Sequence, residues 1–152
     1  MVEEGAAAPD FELTSDSGDR VKLSDFRGKA VVLYFYPADD TPGCTAQACE
    51  LRDDYSLFRE RGAVVLGVSP DDEASHARFR DKYSLPFTLL ADLDHSVSDD
   101  YGVWVERNRF GKKSMGIKRS TFVIDEEGRI ARAMYGVKPE GHADRVLEAL
   151  PG

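Results

Sequence analysis

An unbroken apolar run, Ala30-Val31-Val32-Leu33-Tyr34-Phe35-Tyr36, places the strongest limit on how this chain can fold. A strand with one wet face alternates apolar and polar residues, whereas a run with no polar break belongs to a strand covered on both faces. A second run, Ala63 to Val68, follows a stretch from Cys44 to Arg61 in which Ala48, Leu51, Tyr55 and Phe58 recur at helical spacing. Gly62 closes that helix. Buried strands alternating with helices define an α/β fold.

The remaining segments fill in a mixed sheet flanked by helices. Phe11-Glu12-Leu13 and Val21-Lys22-Leu23 surround the turn-forming Ser15-Asp16-Ser17-Gly18-Asp19 and predict an N-terminal β-hairpin. Ser69-Pro70-Asp71-Asp72 caps a polar helix running to about Tyr83, and Thr88 to Ala91 reads as a third strand. A short helix from Asp94-His95-Ser96 ends near Tyr101-Gly102, and Val103-Trp104-Val105 reads as a short strand. Glu106 to Gly116 is polar and loop-like. Ser120 to Ile124 and Arg129 to Tyr135 form a hairpin around Asp125-Glu126-Glu127-Gly128, and a helix from about Glu140 to Leu150 follows. With no repeat or linker, residues 1–152 read as a single domain.

Charge narrows the function. The 28 acidic residues outnumber the 20 basic ones, for a net −8 at pH 7, which argues against a nucleic-acid or anionic-membrane partner. Met1-Val2-Glu3-Glu4-Gly5 carries no signal-peptide pattern, so the expected compartment is the cytoplasm. A structural disulfide is not expected in that reducing environment.

Both cysteines lie just after the first buried strand, in Pro37-Ala38-Asp39-Asp40-Thr41-Pro42-Gly43-Cys44-Thr45-Ala46-Gln47-Ala48-Cys49. Pro42-Gly43 makes a turn and a helix begins at or near Cys44. A thiol there meets free backbone N–H groups and the positive end of the helix dipole, which favour the thiolate and make Cys44 a nucleophile.

The segment Pro37-x-x-x-Thr41-x-x-Cys44 resembles the active-site pattern of the peroxiredoxin family. Tyr34-Phe35-Tyr36-Pro37-x-Asp39-Asp40-Thr41-Pro42-Gly43-Cys44-Thr45 is similar to its bacterioferritin comigratory protein, or peroxiredoxin Q, subgroup. Ala8-Pro9-Asp10-Phe11, Tyr101-Gly102-Val103-Trp104 and Arg119-Ser120-Thr121-Phe122-Val123-Ile124-Asp125 extend the likeness over nearly the whole chain. The resemblance implies a thioredoxin-like fold and reduction of hydrogen peroxide and alkyl hydroperoxides, with no cofactor or metal. It further implies a thioredoxin- or glutaredoxin-type reductant and a monomer.

It also implies roles for individual residues. Cys44 attacks the peroxide, Thr41 hydrogen-bonds it through the hydroxyl, and Pro37 shields the thiol. Arg119 holds thiolate and peroxide, with Gly43 and Cys44 N–H groups completing the donors that stabilise developing charge. Many relatives carry an acidic residue at the position of Gln47, which leaves the partner of Arg119 open. Asp39 and Asp40 read as a solvated turn, Tyr34, Phe35, Tyr36 and Trp104 as core or pocket wall, and Thr41 also suits a helix cap. His76, His95 and His142 fall in unrelated polar segments without metal-ligand spacing.

A disulfide across the short Cys44–Cys49 loop would contribute only about 2 kcal/mol by loop entropy. It would cost helical hydrogen bonds of about 1 kcal/mol each. Resolution is the better reason for the pair: a second thiol condenses with a sulfenic acid on Cys44 and prevents over-oxidation. Relatives with this spacing do so within one chain. The rival reading, a thioredoxin-like disulfide reductase, calls for Cys-x-x-Cys, whereas four residues separate Cys44 and Cys49.

Overall fold

The computed structural model describes residues 2–151. Its centre is a seven-stranded mixed sheet ordered β2-β1-β5-β4-β3-β8-β9. The strands are β1 (Glu12–Ser15), β2 (Arg20–Lys22), β3 (Ala30–Phe35), β4 (Ala63–Ser69), β5 (Thr88–Ala91), β8 (Ser120–Ile124) and β9 (Ile130–Tyr135). β3 and β4 run parallel to each other and to β5, while β8 lies antiparallel against the other side of β3. The N-terminal hairpin forms as expected and joins the sheet through β1 on β5.

The apolar run is central and doubly covered. Val32, Tyr34 and Tyr36 pack under helices α1 (Pro42–Asp53), α2 (Tyr55–Glu60), α3 (Glu73–Tyr83) and α5 (His142–Ala149). Val31, Leu33 and Phe35 face a second cluster with Phe11, Tyr101 and Phe122. Alternation of side chains across a strand makes both sets apolar, so no polar break survives in the sequence.

Two expectations need correction. The helix over Cys44 to Arg61 is two helices, broken at Asp54, whose backbone leaves the helical region at φ −99° and ψ 9°. The break turns Phe58 into the core beside Ala63 and Val65 of β4. Glu106 to Gly116 is not a loop: β6 (Trp104–Arg109) and β7 (Lys112–Ile117) form an antiparallel hairpin. Its two-residue turn is Phe110-Gly111, with φ values of 54° and 77°. A phenylalanine seldom adopts positive φ, so the pair does not read as a turn. The short helix α4 (Ser96–Asp100) precedes this hairpin. No helix among the described residues is long and apolar enough to cross a membrane.

Topology sets where chemistry collects. Because β3 and β4 are parallel, Phe35 lies beside Val68, and the loops leaving both strands emerge at the same edge. Because β8 is antiparallel to β3, its first residue, Ser120, lies beside Phe35. Arg119 therefore arrives at the carboxyl edge of the parallel strands, where open α/β sheets hold their sites.

Candidate active site

Cys44 is the third residue of α1, after Pro42 and Gly43, and is 1% exposed. The first ladder bond of the helix runs from the Thr45 N–H to the Thr41 carbonyl (2.8 Å), so the N–H groups of Gly43 and Cys44 precede the ladder. Pro42 suits this position because it has no N–H to satisfy.

Arg119 closes the site from the start of β8, the strand next to β3. Its Nη2 donates to Cys44 Sγ (3.3 Å) and its Nη1 to Gln47 Oε1 (2.6 Å). The neutral Gln47 is thus the guanidinium's partner. A methyl on Gly43 would stand 3.1 Å from Arg119 Nη2, so the bare Gly43 backbone admits the guanidinium. Pro37 and Thr41 are half-buried in the loop between β3 and α1. Thr41 makes no side-chain cap; its hydroxyl donates to the Ala38 carbonyl (2.9 Å) and so keeps its lone pairs for an incoming donor.

The histidines depart from their expected settings. His142 is fully buried. Its Nδ1 faces the Gln47 amide nitrogen (3.5 Å) and its Nε2 faces Thr121 Oγ1 (2.7 Å). With Gln47 Oε1 taken by Arg119, its amide can only donate, so neutral His142 carries its hydrogen on Nε2. Burial, with the positive charges of Arg145 and Arg119, lowers the His142 pKa to about 4. His76 is buried as well, against the Asp39 carboxylate at 2.7 Å. Asp39, whose side chain is 4% exposed, is therefore not part of a solvated turn, whereas Asp40 is exposed. Ligand atoms of Asp39, Asp71 and His76 lie within 4.8 Å of one another, a cluster that sequence spacing did not reveal; the Asp39 carboxylate meets His76 and the Asp39 N–H donates to Asp71. His95 stacks on Trp104 at the foot of the β6–β7 hairpin.

Because His142 is neutral when folded but charges near pH 6.5 when unfolded, acid favours the unfolded chain. Stability is expected to fall as pH drops from about 6.5 to about 4, and this contribution levels off below that. The full effect is about 3 kcal/mol. His142→Asn should remove that part of the slope in denaturant melts at a series of pH values, and an unchanged slope would rule out the buried neutral ring.

Tyr34 supplies the floor beneath α1 and packs in the same cluster as Cys44 and Ala48. Its hydroxyl is buried without a hydrogen-bond partner among the described residues. Burial, with the Cys44 sulfur nearby, raises its pKa well above the ordinary tyrosine value. A Cβ on Gly67 would stand 2.9 Å from that hydroxyl, so the bare glycine leaves room for the end of the ring.

Cys49 is on the same helix, partly exposed, and both cysteines are free thiols. Five residues of α-helix separate their Cα atoms by about 8–9 Å. A disulfide spans at most about 7 Å.

The chain is similar to known proteins over nearly its whole length. The AhpC/TSA family profile matches residues 5–133. The chain is 49% identical over 149 residues to peroxiredoxin Bcp of Bacillus subtilis, covering 98% of this chain and 95% of that one. With peroxiredoxin Bcp of Escherichia coli it shares 44% over 146 residues, 96% and 94% of the two chains. Among solved structures, a peroxiredoxin Q of Xanthomonas campestris superposes with a TM-score of 0.92 at 37% identity, over 97% of each chain. The bacterioferritin comigratory protein of the same organism, studied for alkyl peroxide reduction, gives 0.91 at 36% identity over 97% and 96%.

Proposed function

The chain belongs to the AhpC/TSA family and is a peroxiredoxin, and from that premise we propose that Cys44 is its peroxidatic and Cys49 its resolving cysteine. The observation that carries this reading is the guanidinium of Arg119 bridging Cys44 Sγ and Gln47 at the head of α1. It acts on hydrogen peroxide and alkyl hydroperoxides, as one domain spanning residues 1–152.

The Cys44 thiolate attacks one peroxide oxygen, the O–O bond breaks, and the departing hydroxide or alkoxide takes a proton to leave as water or alcohol. Charge develops on that departing oxygen, within reach of Arg119 and of the Gly43 and Cys44 N–H groups. The Thr41 hydroxyl, held by Ala38, accepts from the peroxide O–H. Pro37 restricts access to the thiol. Cys44 is left as a sulfenic acid. Cys49 attacks its sulfur, a disulfide forms and water leaves. A dithiol donor of the thioredoxin or glutaredoxin type then reduces the disulfide. We place this cycle in the cytoplasm, in a monomer.

Resolution requires the start of α1 to unwind, because regular helix holds the two Cα atoms too far apart. Glu50 sets a boundary: its carboxylate accepts from the N–H groups of Gly141 (2.8 Å) and Ala143 (3.2 Å) at the head of α5, just past Cys49. Amide exchange should therefore lose protection over residues 45–53, whose N–H groups donate to carbonyls of the segment before Glu50, in the disulfide form and keep it from Asp54 onward, whose N–H donates to the Glu50 carbonyl. Strong, equal protection of 45–53 in both redox states would exclude local unfolding.

Purified protein with a thiol reductant and peroxide tests the assignment. Cys49→Ser is expected to react once, accumulate sulfenic acid and over-oxidise. Normal turnover of that variant with thioredoxin as sole donor would remove Cys49 from the cycle, and reduction of insulin disulfides without peroxide consumption would favour the reductase reading.

A further inference from the structure

The geometry points to Asp39 and His76 as positioning residues that hold the Thr41 hydroxyl in place for peroxide, an inference that rests on the peroxidase reading. The Asp39 carboxylate, buried beneath the active-site loop, accepts from the Tyr36 hydroxyl on Oδ1 (2.6 Å) and from Ser75 Oγ on Oδ2 (2.8 Å). His76 Nδ1 meets the same Oδ2 at 2.7 Å, and its Nε2 meets the Leu90 carbonyl at 3.0 Å. A carbonyl only accepts, so Nε2 carries a hydrogen. The contact at Nδ1 needs a second hydrogen, held by the ring or by the carboxyl, and a buried pair of this kind is strongly directional.

The loop is held at neighbouring points as well. The Asp39 N–H donates to Asp71 Oδ2 (2.7 Å), which also accepts from Ser69 Oγ (2.7 Å). Asp40 sits in the left-handed region at φ 57°, a strained setting for a residue other than glycine, and its carboxylate is held by Lys82 (2.7 Å) and Tyr83 (2.6 Å). Two adjacent aspartates thus fasten the loop to α3, one inside the protein and one outside.

What this fixes is the segment between Ala38 and Thr41. The Ala38 carbonyl, one residue before Asp39, is what the Thr41 hydroxyl donates to. Freeing Asp39 lets that carbonyl drift, and Thr41 can then turn its hydroxyl away from the peroxide site. Cys44 is left alone by such a change, because its charge partners, Arg119 and the helix N-terminus, are held through Gln47 and the backbone. The network therefore serves the reaction with peroxide and leaves the nucleophile itself untouched.

Two rates measured on the same reduced protein separate these effects. One is oxidation of Cys44 by hydrogen peroxide in stopped flow; the other is alkylation of Cys44 by iodoacetamide, which makes no use of the Thr41 hydroxyl. Asp39→Ala is expected to slow oxidation by about ten- to a hundredfold, the scale of a small misplacement in an active site. Alkylation should change by less than about twofold. Asp39→Asn, which can donate to a neutral His76 ring, should recover part of the lost rate. Should Asp39→Ala fail to fold, Ser75→Ala removes a single donor and is expected to slow oxidation about threefold with alkylation unchanged. Parallel losses in both rates, or an undiminished oxidation rate, would overturn the assignment. Failure of the wild-type protein to react with peroxide would instead overturn the peroxidase reading.

Discussion

Cys44→Ser is expected to bring peroxide consumption down to that of a protein-free control. Breaking an O–O bond needs a soft, charged nucleophile, and a serine hydroxyl is not ionised near neutral pH. The substitution changes one atom in a site that is 1% exposed, so α1 and the Arg119–Gln47 contact should persist. Unchanged circular dichroism would establish that the loss is chemical. Cys49 remains in this variant, partly exposed and farther along the helix, away from the N-terminal N–H groups and without a hydrogen bond from Arg119. Turnover by Cys44→Ser above the control would show that Cys49, or some other group, is the nucleophile.

Arg119→Ala should slow Cys44 oxidation by about a hundred- to a thousandfold, the usual cost of deleting one charge-stabilising donor from a site shielded from water. Alkylation by iodoacetamide should slow as well, since the guanidinium donates a hydrogen bond to the sulfur and holds it in the site. That joint loss differs from the split expected for Asp39→Ala. The variant should also be less stable, because the fully buried Gln47 Oε1 loses its donor, at about 1–3 kcal/mol. Arg119→Lys should not restore the rate: one ammonium cannot span Cys44 and Gln47 as the planar fork does. Oxidation by peroxide at the wild-type rate in Arg119→Ala would remove the residue from the site.

The peroxidatic motif is compact, and its legibility follows from that. Pro37, Thr41 and Cys44 share one turn and one helix start, so local conformation alone aligns them, and the pattern appears in sequence at fixed spacing. Arg119 is 75 residues from Cys44, and only family resemblance singled it out. Its partner Gln47 reads as a neutral helix residue until the guanidinium is seen against it.

Other features had no local signal at all. Whether an aspartate in a turn is wet or buried depends on what packs over it; α3 covers Asp39 only because parallel pairing of β3 and β4 brings both loops to one edge. The same dependence hid His142, whose segment is polar in sequence yet whose ring is sealed beneath α1. The β6–β7 hairpin escaped notice because its turn uses Phe110, a residue whose side chain argues against the positive φ it adopts.

By itself, then, the sequence determined the α/β class, the buried central strand and a nucleophilic cysteine at a helix start, since these follow from periodicity and backbone polarity over short stretches of chain. Tertiary structure alone decided which groups meet that cysteine and the loop before it. The pairing of β3 with β8 delivers Arg119 to Cys44, and the pairing of β3 with β4 delivers His76 to Asp39. Both depend on strand order and register, which are set by the mutual burial of surfaces remote in sequence.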